Sequence, residues 1–233
     1  MENKLPVVEI FGPTIQGEGS YTGRLVQFVR LAGCDNKCEW CDTKKAWDPF
    51  NSTKMTDSEI VEELLKNKEK TNIVVITGGN PCIYNLENLL TILVRKDFRI
   101  HIETQGTLAP GWLRQVNVVT ISPKTPSSGN YTKLSSLKDC ATVVNGVVNL
   151  KLVINSDNEE DWKYLDDCIQ ITKHLSVVRV YIQPVDNVEQ EYDEAAYIAS
   201  YRKLVLKLIE KGIQDVSVLP QMHKIVWGRK EGV

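Results

Sequence analysis

No apolar stretch of this 233-residue chain approaches the roughly 20 residues that cross a bilayer. Neither sign of charge dominates, with 28 Lys+Arg against 30 Asp+Glu. Without a basic excess, nothing favours nucleic acid or an anionic membrane surface, so neither is expected as a partner and small molecules are. The first residues, Met1 to Pro6, show no charged and then apolar signal region. The expected location is therefore the cytoplasm, where thiols stay reduced. Histidine is scarce, with three in the chain, and Cys82, Cys140 and Cys168 lack metal-ligand spacing. Those three cysteines read as small packing residues. A hydrophobic content of 42% suffices for a full core, and one domain over residues 1–233 is expected.

The other three cysteines crowd into one loop, Gly33-Cys34-Asp35-Asn36-Lys37-Cys38-Glu39-Trp40-Cys41-Asp42-Thr43. Disulfides between such near neighbours would close small, strained loops, so the spacing points to a shared metal centre. A 4Fe–4S cube normally takes four cysteines; three leave one iron open to a non-protein ligand. A structural zinc module is the rival reading. Against it, closed zinc sites take four protein ligands, and no second Cys or His pair is suitably placed.

Periodicity predicts a βα alternation. Apolar, β-branched runs occupy Leu25–Leu31, Ile73–Thr77, Arg99–Glu103, Val116–Ile121, Leu150–Ile154, Val178–Gln183 and Asp215–Leu219. Thr56-Asp57-Ser58-Glu59 reads as a capping box opening a helix to about Lys70. Leu86–Lys96, Asp157–Lys173 and Asp193–Lys211 are further amphipathic helices. Residues 125–149 are rich in Ser, Thr, Asn and Gly and read as a flexible lid or as a connecting loop with a short helix. Nearly every expected strand ends in a polar or glycine-containing cluster. In a parallel α/β protein those ends share one face, and a curled sheet gathers them around one axis. The expected fold class is α/β with a parallel sheet; periodicity does not choose between an open sheet and a partial barrel, and a curled sheet with the site at its mouth explains the clusters best.

These residues carry a family resemblance. The Cys-x3-Cys-x-Trp-Cys loop is similar to that of the radical S-adenosylmethionine (SAM) enzymes, and Gly78-Gly79 resembles their SAM-binding glycine motif. Phe11-Gly12-Pro13-Thr14-Ile15-Gln16-Gly17-Glu18-Gly19, Phe28-Val29-Arg30, Glu103-Thr104-Gln105-Gly106-Thr107, Ser122-Pro123-Lys124 and Pro220-Gln221-Met222-His223 narrow it further. Together, in this order from about Val8 to Gly232, they resemble the 7-carboxy-7-deazaguanine synthase family. A glycyl-radical activating enzyme, which shares the cluster loop and a small barrel, is the alternative within the superfamily. Gln16-Gly17-Glu18-Gly19 and the Pro-Gln-x-His ending speak against it.

The resemblance implies a partial, modified (β/α) TIM-like barrel of the radical SAM type, working as a homodimer in queuosine and 7-deazapurine biosynthesis. Cys34, Cys38 and Cys41 would hold three irons of a 4Fe–4S cluster, and SAM would bind the fourth. An electron from flavodoxin or ferredoxin would split SAM, and the resulting radical would take hydrogen from C6 of 6-carboxy-5,6,7,8-tetrahydropterin. The ring then contracts to 7-carboxy-7-deazaguanine with loss of ammonia, and SAM is regenerated.

By the same resemblance Trp40 lies near the adenine, Gly78 and Gly79 at the methionine end, and Asn80, Glu103, Thr104, Gln105, Ser122, Pro123, Lys124, Gln183, Pro184, Val185 and Asp186 along SAM. Ile15, Gln16, Gly17, Glu18, Thr77, Gln221 and His223 match substrate positions, and Arg30 would pair with the substrate carboxylate through its planar fork. Thr43 would hold Mg²⁺, which favours oxygen ligands and retained waters. Asn80 departs from the glutamate found after the two glycines in many radical SAM enzymes; its amide oxygen can accept from SAM's amino group without supplying charge. His101 and His174 read as structural.

Overall fold

The computed structural model describes residues 4–186, 190–230, 232 and 233. The N-terminal signal reading partly falls on residues 1–3, outside the described residues. The strands are β1 (Lys4–Ile15), β2 (Leu25–Leu31), β3 (Thr53–Thr56), β4 (Ile73–Gly78), β5 (Arg99–Thr104), β6 (Val118–Ile121), β7 (Val147–Ile154), β8 (Val177–Pro184) and β9 (Ser217–Val218). The helices are α1 (Asp57–Leu65), α2 (Glu87–Arg95), α3 (Leu134–Val143), α4 (Glu159–Thr172), α5 (Glu194–Lys211) and α6 (Met222–Trp227). All nine described strands join one sheet in the order β3-β1-β2-β4-β5-β6-β7-β8-β9. From β2 to β9 every pairing is parallel, in register pairs such as Arg30 with Thr77 and Leu31 with Gly78.

Local sequence sets these elements. The expected capping box is present: Thr56 Oγ1 accepts from the Glu59 N–H at 3.2 Å, and Glu59 Oε2 accepts from the Thr56 N–H at 2.7 Å. Asn158 and Asp193 cap α4 and α5 by accepting from the first-turn amides, and Gly212 ends α5 in the left-handed conformation. The helices cover the outer face of the sheet, where Val29, Leu31, Val74, Ile76, Ile102 and Leu150 join the main core. Strand alternation turns the intervening residues to the inner face. At its base Val26, Phe28, Ile73 and Val75 form a second, small apolar cluster. Above that cluster the inner positions are polar or charged: Arg30, Thr77, Glu103, Ser122 and Lys151.

Two strands were not expected. β1 pairs antiparallel with β2 and with β3, and its register slips twice, between Val7 and Glu9 and between Phe11 and Thr14. Pro6, Pro13 and the slips break the two-residue period from which a strand is read. The expected run Val116–Ile121 shortens to β6, with Val116 packed in the core, and Asp215–Leu219 shortens to the two residues of β9. Residues 125–149 resolve into a packed loop, α3 and the start of β7. The loop is tied to the cysteine loop, the Glu39 N–H donating to Ser128 O at 3.0 Å. No helix among the described residues is long and apolar enough to cross a membrane.

Candidate active site

One cavity of about 590 Å³ opens at the carboxyl ends of the parallel strands. Its wall is made first by the segment that leaves β1. Gln16 runs across the barrel so that its Nε2 donates to Glu103 Oε1 at 2.9 Å, and Thr77 Oγ1 donates to Glu103 Oε2 at 2.7 Å. Two residues on, Glu18 pairs with Lys151, and its Oε1 accepts from Gln183 Nε2 at 2.8 Å and Gln221 Nε2 at 2.6 Å. Gly17 lies flat against the His223 ring, which occupies the space a Cβ would need, and the Met222 N–H donates to Gly17 O at 2.8 Å. The first and last motifs of the chain therefore close the barrel together.

Charge follows this geometry. Burial alone would raise the Glu18 carboxyl, but Lys151 and His223, with the donors around it, hold it well below the usual carboxylate range. Burial would lower the Lys151 ammonium, yet Glu18 and Glu103 push it above its ordinary value. His223 is pulled down by burial against the opposing pull of Glu18 and Asp42, so it is favoured as neutral imidazole.

Cys34, Cys38 and Cys41 are free thiols on the same wall. Burial raises Cys38 and Cys41, a cost that a coordinated metal relieves by binding the thiolate. Nitrogen donors already face the sulfurs: the Asn36 N–H and Gln105 Nε2 approach Cys34 Sγ at 3.4 and 3.5 Å, and Asn130 Nδ2 approaches Cys38 Sγ at 3.7 Å. Two buried donors of the loop, Asn36 Nδ2 and Trp40 Nε1, have no protein partner and belong to the cavity wall. Among the described residues no three His, Cys, Asp or Glu side chains converge closely enough to hold a single metal ion. Three free thiols on one wall, with nitrogen donors facing two of the sulfurs, are a donor set that fits a cysteine-ligated iron–sulfur cluster.

The other expected site residues differ in how they meet the cavity. Gly78 and Gly79 line the cavity, but their missing side chains serve the protein's own backbone. A Cβ on Gly78 would lie 2.6 Å from Leu31 N, and one on Gly79 would lie 2.5 Å from Gly33 C and 2.9 Å from Ala46 O. Asn80 is fully buried behind them. Its amide oxygen accepts from Thr104 Oγ1 at 2.9 Å and from the Cys82 N–H at 3.2 Å, and its Nδ2 donates to Asp35 at 2.9 Å. That oxygen thus accepts two hydrogen bonds from the protein's own groups. Asp186 is bound by Lys224 at 2.7 Å and by Arg229 at 2.9 Å, two residues of the cavity lining, without lining the cavity itself. Pro123, Pro184, Val185, Gln183 and Gln221 also lie outside the lining, the two glutamines acting through Glu18. Arg30 does line the cavity, already paired at 2.7 Å with Glu9. Ile15, Trp40, Thr43, Thr104, Gln105, Ser122 and Lys124 stand on the wall, with Lys124 Nζ 5.7 Å above the Trp40 ring.

Several wall residues were not expected, among them Glu9, Trp47, Lys151 and Lys224. Lys151 had a signal, since Asn149 and Lys151 are the polar positions at alternate places of an otherwise apolar strand. Glu9 had none, because β1 itself was illegible.

A curled parallel sheet, with clustered cysteines after its first parallel strand and glycines ending the next, defines a radical SAM enzyme. The Radical SAM superfamily model accordingly matches residues 29–138. A 7-carboxy-7-deazaguanine synthase from Bacillus cereus is 38% identical over 99% of this chain and 100% of its own length. One from Bacillus subtilis is 36% identical, with both chains fully covered. The crystal structure of QueE from Escherichia coli superposes with a TM-score of 0.68 at 27% identity, covering 94% of this chain and 95% of that one. The chain belongs to the 7-carboxy-7-deazaguanine synthase family. Membership in the radical SAM superfamily implies a 4Fe–4S cluster and SAM as cofactors, which the cysteine loop fits.

Proposed function

We propose that the chain, as one domain over residues 1–233, converts 6-carboxy-5,6,7,8-tetrahydropterin to 7-carboxy-7-deazaguanine with loss of ammonia, in queuosine or related 7-deazapurine biosynthesis. The observation that carries this is the joining of two chemistries in one cavity: free thiols on one wall, and a floor of carboxylates, Glu18 and Glu103, on the other. Cys34, Cys38 and Cys41 would hold the cluster, and Trp40, Thr104, Gln105, Ser122 and Lys124, which line the cavity, would bind SAM. The cluster with bound SAM supplies a one-electron initiation that amino-acid side chains cannot.

The chain's own residues then bind, orient and shield. Glu18 and Glu103 are acceptors that suit the N–H edge of a 2-amino-4-oxopyrimidine ring. Arg30, held by Glu9, presents its guanidinium toward the cavity for a substrate carboxylate. Thr43, whose hydroxyl donates to Asp42 Oδ1 at 3.0 Å, offers an oxygen for Mg²⁺ beside that carboxylate. Phe11 and Phe28, stacked with ring centroids 4.8 Å apart, close the apolar side against water. A flavodoxin or ferredoxin as electron donor, a homodimer and a cytoplasmic setting complete the reading.

Anaerobically reconstituted protein should bind about three to four irons per chain. With SAM, dithionite and the carboxylated tetrahydropterin it should release 7-carboxy-7-deazaguanine. Iron-loaded protein that cleaves SAM but forms no deazaguanine would end the substrate assignment and leave the superfamily intact.

A further inference from the structure

Lys151 is the least expected member of the site. It stands on the inner face of β7, only 8% exposed, and lines the cavity. Its ion pair with Glu18 is enclosed, the two side chains 10% and 13% exposed. Glu18 is gripped from three further places: Gln183 at the end of β8, Gln221 before α6, and Gln16 Oε1, which accepts from the Glu18 N–H at 3.3 Å. Gln221 is fixed in turn, its N–H donating to Tyr197 Oη at 2.6 Å. The second carboxylate, Glu103, is half-buried, is held by Gln16 and Thr77, and lines the same cavity as Lys151. The other titratable groups facing this cluster are His223 from α6, Asp42 from the cysteine loop, Tyr197 from α5 and His101 from β5.

The geometry points to Lys151 as a positioning residue: it supplies the countercharge for Glu18 and Glu103, making the cavity floor acceptor-only and so selecting ligands that present an edge of N–H donors. The inference rests on the proposed pterin reading for its ligand. Two carboxylates lining one cavity disfavour each other's ionisation, and the ammonium paired with Glu18 offsets that repulsion. With Lys151 neutralised, one carboxyl takes a proton, and an oxygen that had accepted from the ring now carries a donor. A ring edge of parallel N–H groups is then refused, whereas SAM, held elsewhere on the wall, is untouched.

The test uses full-length, iron-loaded protein carrying Lys151→Met or Lys151→Arg. For Lys151→Met, KM for the carboxylated tetrahydropterin should rise about tenfold or more, while kcat at high pH stays within about threefold. The acidic limb of kcat/KM should move toward neutral pH, because the unpaired buried carboxyl protonates more readily. Iron content and SAM cleavage without pterin should match wild type, and Lys151→Arg should recover most of the lost affinity. An unchanged KM and pH profile in Lys151→Met, or an arginine variant as impaired as the methionine one, would overturn the proposal. Should Lys151→Met fail to fold, the double variant Glu18→Gln/Lys151→Met removes both charges and should restore folded, iron-binding protein; no restoration overturns the pairing. If wild-type protein makes no deazaguanine, the pterin reading fails on its own. The single and double variants, compared by unfolding, still decide whether Lys151 is the countercharge.

Discussion

Gly79→Ala separates two accounts of the glycines that end β4. If they are small to admit SAM, an alanine impairs SAM binding first. If they are small because the cysteine loop packs against them, it damages the cluster site first. The structure favours the second account. The new methyl would lie 2.5 Å from Gly33 C, nearer still to Gly33 O, and 2.9 Å from Ala46 O. Ordinary contact begins at 3.4 Å, so the loop must retreat by about 0.9 Å or more. The contacting atoms are backbone, which cannot swing aside as a side chain would. Retreat strains the Gly79 N–H bond to Leu31 O at 3.0 Å and the Asn80 N–H bond to Gly33 O at 2.8 Å.

Losing both bonds costs about 1–3 kcal/mol, and overpacking adds about 1–3 kcal/mol. The sum, about 2–6 kcal/mol, is a large share of the 5–15 kcal/mol that holds a typical domain together. Iron per chain after anaerobic reconstitution, urea unfolding and SAM affinity should be measured on wild type, Gly79→Ala and Gly111→Ala. Gly111 is a fair control, because a Cβ there meets only Arg114 Nη1, at 3.8 Å. The expectation is lower iron content and stability in Gly79→Ala alone. Full iron loading and wild-type unfolding, with SAM affinity lost, would refute the packing account.

Other perturbations follow from the same contacts. Asp35 accepts from Asn80 Nδ2 at 2.9 Å, Gln105 Nε2 at 2.5 Å and Thr107 Oγ1 at 2.5 Å, so Asp35→Ala should cost about 1–3 kcal/mol and speed amide exchange over residues 33–41. Wild-type exchange there would show that the clamp is idle. Burial pulls His101 down to about 4, below its usual value near 6.5, so its stabilising contribution is complete above pH 6.5 and is lost as pH falls toward 4. Unfolding free energy should drop by about 2 kcal/mol between pH 7 and pH 5, and a His101→Gln variant should show a flatter dependence. Thr56→Ala removes the α1 cap and should lower stability by about 1 kcal/mol with product formation unchanged; a loss of activity would tie α1 to the site.

How much of this could be read beforehand depends on how local the signal is. The parallel strands β2, β4, β5, β7 and β8 are rich in apolar, β-branched residues because helices cover their outer face and the curled sheet encloses much of the inner one, so they declare themselves without reference to neighbours. The helix starts are equally local, since Thr56 with Glu59 is a cap whatever the helix later packs against. β1 is different. Its strand character comes from two antiparallel partners and survives two register slips, and nothing within Lys4–Ile15 announces those partners. With β1 hidden, Glu9 is hidden too, and so is the ion pair by which it holds Arg30 at the cavity wall.

The site shows the same division on a finer scale. Residue types that chemistry restricts, such as thiols that bind iron, were legible as a motif. Which way an amide faces was not. Asn80 and Gln183 sit where motif reasoning puts them, yet one is turned inward to Asp35, Thr104 and Cys82 and the other toward Glu18. In both cases an amide nitrogen donates to an acidic residue far away in the sequence, Asp35 for Asn80 and Glu18 for Gln183, at no fixed spacing. Buried amides turn toward whichever charges most need partners, because an unpaired buried carboxylate costs more than a misdirected amide gains. The placement of charge in the barrel, with Lys151 opposite Glu18 and Glu103, therefore comes before the orientation of the neutral side chains around it. Changing that charge should reorient Gln183 and Gln221 before it disturbs the cysteine loop.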